Sequence, residues 1–171
     1  ELINLSNFHP RVNILKPGCG VGGHCIAVDP WFIAADSPEI TPLIQTARAV
    51  NENKSSWTID QIKSISTKLN KKLGKQPNIG ILGLSFKPDI DDLRESPALN
   101  ITLNLLESGL NLLVCEPNLT SHPKINLYKP DHVIEKADLV VILVAHSIFK
   151  ELDLKDKLVF DLTGITNKIY N

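Results

Sequence analysis

The chain has 171 residues, 43% of them hydrophobic and 22% charged, with a formal net charge of −1. That is the composition of a soluble globular protein long enough to bury a core, in one domain or two. The near-neutral balance leaves no basic footprint for nucleic acid or an anionic membrane, and no apolar run is long enough to cross a bilayer.

The opening Glu1-Leu2-Ile3-Asn4-Leu5 reads as the middle of a helix, and there is no initiator Met. A longer protein is therefore expected upstream. Residues 1–9 read as a helix end, with Leu2, Leu5 and Phe8 near helical spacing. A dense loop follows, in which four of the nine glycines fall within Lys16 to Cys25. From about Thr41 to Leu73 the spacing of Leu43, Ile44, Ala47, Val50, Ile62, Ile65 and Leu69 predicts a long amphipathic helix, with a break near Asn51–Asn53. Gly74 and Pro77 supply its stop. Trp57 lies in a polar setting of Ser55, Ser56 and Thr58, so the helix carries more apolar surface than a linker needs, and a homodimer is expected.

From Asn78 the pattern becomes alternating strand and helix. Ile79–Leu84, Leu110–Glu116, Leu139–Ala145 and Leu158–Leu162 read as strands. Pro97–Glu107 reads as a helix capped by Ser96, with Gly109 past its end, and Val133–Ala137 as a shorter one. Continuous apolar strands alternating with helices indicate α/β architecture: a Rossmann-like parallel sheet covered on both faces, preceded by a helical segment. The expected division is residues 1–76 and 77–171.

Three cysteines at irregular spacing make no disulfide framework, so a reducing cytoplasm is the expected setting. Cys25 follows Gly22-Gly23-His24 and precedes Asp29 by four residues. Small residues leave the sulfur uncovered, and a helical turn would bring the carboxylate to the same face as the thiol. That pairing suits covalent catalysis, with thiolate as nucleophile and carboxylate managing water. A buried cysteine beside a structural turn is the other reading. Zinc on Cys19, His24 and Cys25 matches no standard spacing and lacks a fourth ligand, so no metal is expected.

The stretch Pro17-Gly18-Cys19-Gly20-Val21-Gly22-Gly23-His24-Cys25-Ile26-Ala27-Val28-Asp29-Pro30-Trp31-Phe32 resembles the active-site segment of the UDP-glucose/GDP-mannose dehydrogenase family. Its GGHC form, with Val28 in place of a lysine, is similar to the UDP-N-acetylmannosamine branch. A second stretch, Gly83-Leu84-Ser85-Phe86-Lys87-Pro88-Asp89 through Asp91-Asp92-Leu93-Arg94-Glu95-Ser96-Pro97-Ala98, is similar to the family's other signature, and the order is right.

The resemblance implies NAD-dependent oxidation of a UDP-sugar C6 alcohol to the carboxylate, with Cys25 as nucleophile and Asp29 beside it. It implies substrate contacts at His9, Arg11, Gly22, Phe86 and Lys87, the first two across a subunit interface, and a contact from Arg94 toward NAD. Read only as residue types, His9 and Arg11 are equally a solvated helix end, and Lys87 an ordinary surface lysine. Arg94 could instead pair with Asp91, Asp92 or Glu95. Thr163 stands where relatives often carry a cation. Gly80-x-x-Gly83 is not the dinucleotide fingerprint, so this chain should carry half of a site. A nucleotide-binding or dimerisation module without catalysis is the reading from another class.

Overall fold

The computed structural model describes residues 1–166. A short helix α1 (Leu2–Ser6) leads into the glycine loop, which closes in helix α2 (Asp29–Asp36) and a 3₁₀ turn. Helix α3 (Pro42–Leu73) then runs for 32 residues. Strands β1 (Asn78–Leu82), β2 (Asn111–Cys115), β3 (Leu139–Ile142) and β4 (Leu158–Asp161) alternate with helices α4 (Pro97–Glu107) and α5 (Pro130–Lys136).

The expected break near Asn51–Asn53 does not occur; α3 is continuous through it. Asparagine is a modest helix former rather than a breaker, and tertiary contacts override its preference. Gly74 ends the helix with φ +66, which a side chain would oppose. The helical turn expected after Cys25 extends into a full helix, α2. Asp29 and Pro30 open it, a residue pair suited to the first turn of a helix.

All four strands are parallel, in the order β2-β1-β3-β4. Alternate residues feed two apolar layers. Ile79, Ile81, Val114, Leu139 and Val141 face α4 and the second half of α3, which supplies Ile62 and Ile65. Leu82, Cys115, Val140, Ile142 and Val159 face the other way, with Val133 of α5 and Phe149. Each fully buried aliphatic side chain contributes roughly 1.5–3 kcal/mol relative to exposure. Helix α4 buries Ala98, Ile101, Thr102 and Leu105, one face of a 3.6-residue period. Ser96 caps it: its oxygen accepts from the Leu99 N–H at 3.3 Å and its hydroxyl donates to the Leu84 carbonyl at 2.6 Å. The cap therefore also ties α4 to the chain leaving β1.

The register aligns Leu82 with Cys115 and Ile142, and Ile142 with Asp161. The segments after these residues consequently emerge along one edge of the sheet. Because β2 and β3 flank β1 on opposite sides, the chain direction diverges there, and such a switch point leaves a crevice at the strand ends.

Candidate active site

The crevice holds a cavity of about 380 Å³ lined by the glycine loop on one side and by the segments after β1 and β3 on the other. Gly22, Phe86 and Lys87, three of the expected substrate residues, line it together with Lys16, Ile26 and Thr163. Cys25 and Asp29 are exposed beside this lining, with Ile26 between them reaching into it. His9 and Arg11 lie in the exposed turn after α1, outside the lining, where the Arg11 N–H donates to His9 Nδ1 at 3.3 Å.

The reason for the glycines is steric. A Cβ on Gly22 would sit 2.3 Å from the Glu95 carbonyl oxygen and 2.7 Å from Pro97 Cδ; one on Gly23 would sit 2.9 Å from Phe86 Cε2. Gly23 also has φ +92, and its N–H donates to the Arg94 carbonyl at 3.2 Å. The close approach that the glycines permit is thus made by the protein's own second signature stretch. Past the glycines the backbone turns helical: the Asp29 N–H donates to the Cys25 carbonyl at 2.8 Å. That bond puts the carboxylate one helical turn beyond the thiol.

The three thiols differ. Cys19 is buried, its sulfur 3.5 Å from the Leu143 carbonyl, and burial pushes it up to about 12. Burial likewise pushes Cys115 to about 12. Neither can form thiolate near neutral pH, whereas Cys25 is the exposed cysteine. Among the described residues no group of three His, Cys, Asp or Glu side chains could hold a metal ion.

Arg94 pairs with Asp92, Nε at 3.0 Å from both carboxylate oxygens and Nη2 at 2.5 Å from one. Hydrogen bonds from the guanidinium and the Arg94 N–H hold Asp92 down to about 2. Hydrogen bonding to Asp92 in turn pushes the guanidinium up. The Arg94 side chain remains 62% exposed, free on its outer side.

Behind Phe86 and Lys87 lies a buried polar cluster that periodicity does not reveal. Glu116, just after β2, accepts from the Leu84 and Ser85 N–H groups at 2.7 and 3.0 Å and lies 3.1 Å from His146 Nε2. His146 Nδ1 accepts the Asp89 N–H at 2.9 Å. A backbone N–H can only donate, so Nδ1 is bare and Nε2 carries the proton toward Glu116. Asp89, at φ +61, returns its carboxylate to the Ser147 N–H and hydroxyl at 2.8 and 2.7 Å. The loop carrying Phe86 and Lys87 is therefore tied to the ends of three strands. Glu116 also occupies the amides after β1, so that turn does not fit a dinucleotide pyrophosphate, in keeping with the missing fingerprint. Lys16 is a second cation in the lining, and residue type alone does not mark it. Its place just before Pro17-Gly18 was the available signal.

Residues 80–168 match the UDP-glucose/GDP-mannose dehydrogenase family, UDP binding domain, and residues 1–53 match the central domain of that family. A UDP-N-acetyl-D-mannosamine dehydrogenase of Campylobacter jejuni is 50% identical over 167 residues, covering 93% of this chain and 40% of that protein. An NDP-N-acetyl-D-galactosaminuronic acid dehydrogenase of Ralstonia nicotianae is 45% identical over 173 residues, covering 96% and 40%. A derivative structure of the UDP-N-acetyl-mannosamine dehydrogenase from S. aureus superposes with a TM-score of 0.76 at 36% identity, covering 99% of this chain and 41% of that one. The chain spans about two fifths of the length of the curated relatives it matches.

Two outcomes follow from this geometry. Gly22→Ala should push the loop off Glu95 and Pro97, because neither a carbonyl nor a proline ring can yield 1 Å cheaply. Thermal unfolding should register a loss of about 1–3 kcal/mol, the usual cost of overpacking. Glu116 is buried, which opposes ionisation, but hydrogen bonds from His146 and the Leu84 and Asn118 N–H groups outweigh it and hold its pKa below the ordinary 4.5. The folded chain then binds fewer protons than the unfolded one below pH 4.5. This part of the stability is complete above 4.5 and is lost as pH falls through the folded value. Denaturant unfolding across pH 3 to 6 should show Glu116→Gln less stable at pH 6 by about 1–3 kcal/mol, and with a shallower acid limb.

Proposed function

The chain belongs to the UDP-glucose/GDP-mannose dehydrogenase family, and from that premise we propose that it is the substrate-binding and nucleophile-bearing part of a UDP-N-acetyl-D-mannosamine 6-dehydrogenase. The observation that carries the reading is the exposed thiol of Cys25 on a glycine seam at the edge of a cavity whose other wall bears Phe86 and Lys87. The division of labour at about residue 76 belongs to the same proposal. Relatives named as dehydrogenases of N-acetylated hexosamine nucleotides support an acetamido sugar, and UDP-N-acetylglucosamine and UDP-glucose are the alternatives.

The cavity suits a nucleotide sugar in chemical terms. Its lining is largely apolar, and Lys16 and Lys87 bring two ammonium groups to the rim. Fixed cations at such a mouth favour a diphosphate, and the half-buried Phe86 offers a ring to a base or sugar face. His9 and Arg11, being exposed and outside the lining, suit a contact delivered to a partner subunit's site.

The chemistry needs a thiol because an aldehyde is a poor hydride donor. NAD, when bound, accepts one hydride per molecule, so the two oxidations would use two NAD molecules in turn. Arg94, exposed and beside the Cys25 loop, is the residue of this chain suited to reach it. After the alcohol has become an aldehyde, the Cys25 sulfur adds to the carbonyl carbon and the oxygen takes a proton, giving a thiohemiacetal. Loss of hydride and proton leaves a thioester. Water then attacks, with Asp29 one helical turn away accepting its proton, and the carboxylate leaves as the thiol reforms.

An apolar stripe supports self-association. Leu43, Val50 and Trp57 recur every seven residues on α3 and are 81%, 64% and 45% exposed. A heptad recurrence keeps one face of a helix toward a partner, and a two-fold axis would pair the stripe with itself. Light scattering of the chain at micromolar concentration should give a dimer mass. A monomer mass across that range would contradict the pairing.

Cys25→Ser in the intact dehydrogenase should lower uronate formation by at least about 10³-fold, the scale on which a covalent nucleophile matters. Cys19→Ser should keep most of the turnover, since its sulfur is buried and protonated. NADH formation with each UDP-sugar measures both variants and the sugar preference together. Undiminished turnover by Cys25→Ser would refute the nucleophile.

A further inference from the structure

The segment that carries Cys25 is anchored mostly from the sheet side. Cys19 reaches the Leu143 carbonyl, the Gly23 N–H reaches the Arg94 carbonyl, and the bare faces of Gly22 and Gly23 rest on Glu95 and Phe86. One anchor comes from elsewhere. Asn51, in the middle of α3, accepts the Val21 N–H on Oδ1 at 2.8 Å and donates from Nδ2 to the Val21 carbonyl at 3.1 Å. A side-chain amide paired with both the N–H and the C=O of one residue reproduces a rung of β-sheet, and it satisfies a donor and an acceptor of the loop.

The clasp is placed to matter. Val21 lies four residues before Cys25, with only Gly22, Gly23 and His24 between them. Gly20 passes close enough that a Cβ there would sit 3.0 Å from Pro97 Cγ and 3.7 Å from the Asn51 carbonyl. The loop is therefore threaded between α3 and the start of α4. Two consecutive glycines restrain the backbone weakly, so the position of the thiol depends on what grips the chain on either side of them. On the C-terminal side the grip is α2; on the N-terminal side it is Asn51, beside the longer contact of Cys19 with the Leu143 carbonyl.

We infer that Asn51 is a positioning residue for Cys25: by gripping both polar groups of Val21 it fixes the glycine seam against α3 and sets where the sulfur stands at the cavity edge. The inference rests on Cys25 being the nucleophile. Its chemistry is specific to the amide. Aspartate cannot donate to the Val21 carbonyl and would set oxygen against oxygen; alanine removes both bonds; glutamine keeps both groups one methylene too far out. The residue touches neither substrate nor cofactor in this role.

The test uses the intact dehydrogenase with UDP-N-acetylmannosamine and NAD, comparing wild type with Asn51→Ala and Asn51→Asp. Steady-state kinetics are read beside the rate of Cys25 alkylation by iodoacetamide, with circular dichroism to fix the folded fraction. The buried Cys19 and Cys115 serve as internal controls. A displaced reacting group predicts kcat lowered about 10- to 100-fold, KM for the sugar nucleotide within about threefold, and Cys25 alkylation changed at least about threefold in fully folded protein. Asn51→Asp should be no better than Asn51→Ala. Wild-type kcat and alkylation in Asn51→Ala would overturn the inference, as would losses that only follow the unfolded fraction. Turnover surviving in Cys25→Ser would strike the nucleophile reading alone, and the alkylation rates would still decide whether Asn51 holds the loop.

Discussion

The organisation of this chain depends on one contact in which one side has no side chains: the backbone of Gly22 and Gly23 lying on the Glu95 carbonyl, the Pro97 ring and the Phe86 side chain. Any Cβ there would collide with a carbonyl and a proline ring, so the approach exists only with glycine. Through it, the loop bearing Cys25 becomes part of the wall of a cavity built at the strand ends of the sheet. The two stretches of sequence that carry the family likeness are the two faces of this seam. Their glycines on one side and their proline and aromatic residue on the other are one packing requirement written twice.

The second face must itself be rigid for the seam to place anything. It is rigid because Glu116 and His146, both buried, tie the chain after β1 to the chains after β2 and β3. Each hydrogen-bonding position in the cluster is used: carboxylate to backbone N–H, imidazole Nε2–H to carboxylate, backbone N–H to Nδ1. A cluster in which every member is satisfied can be buried at little net cost, whereas removing one member leaves the others stranded. It also takes up the backbone N–H groups of the first turn after β1. The protein's own carboxylate sits where a phosphate would.

Much of the fold was legible because it is written in period and punctuation. The four strands, the Ser96 cap, the stop at Gly74 and the helix from Pro97 to Glu107 all rest on local rules, and the structure follows them. The misreadings share a cause. Asn51–Asn53 suggested a broken helix because asparagine is a poor helix former, yet Asn51 is there to reach Val21, 30 residues away. The glycine cluster announced a close approach but could not name the partner, which is Phe86 and Glu95. Glu116 and His146 are 30 residues apart and sit in segments that look like ordinary strand ends, so no spacing betrays the pair. Long-range polar pairs have no period, and only the folded register brings them together. The three-dimensional positions of Phe86 and Lys87 on the cavity, and of Arg94 against Asp92, were reachable from the likeness and from charge spacing respectively.

The most direct test is to catch the sugar on the sulfur. In the intact dehydrogenase carrying Asp29→Asn, which should slow hydrolysis, rapid mixing with UDP-N-acetylmannosamine and NAD followed by acid quench and peptide mass spectrometry should find a thioester of the uronyl nucleotide on the peptide containing Cys25. NADH release with no adduct on Cys25, or an adduct on Cys19 or Cys115 instead, would contradict the assignment of the glycine seam as the place where the chemistry happens.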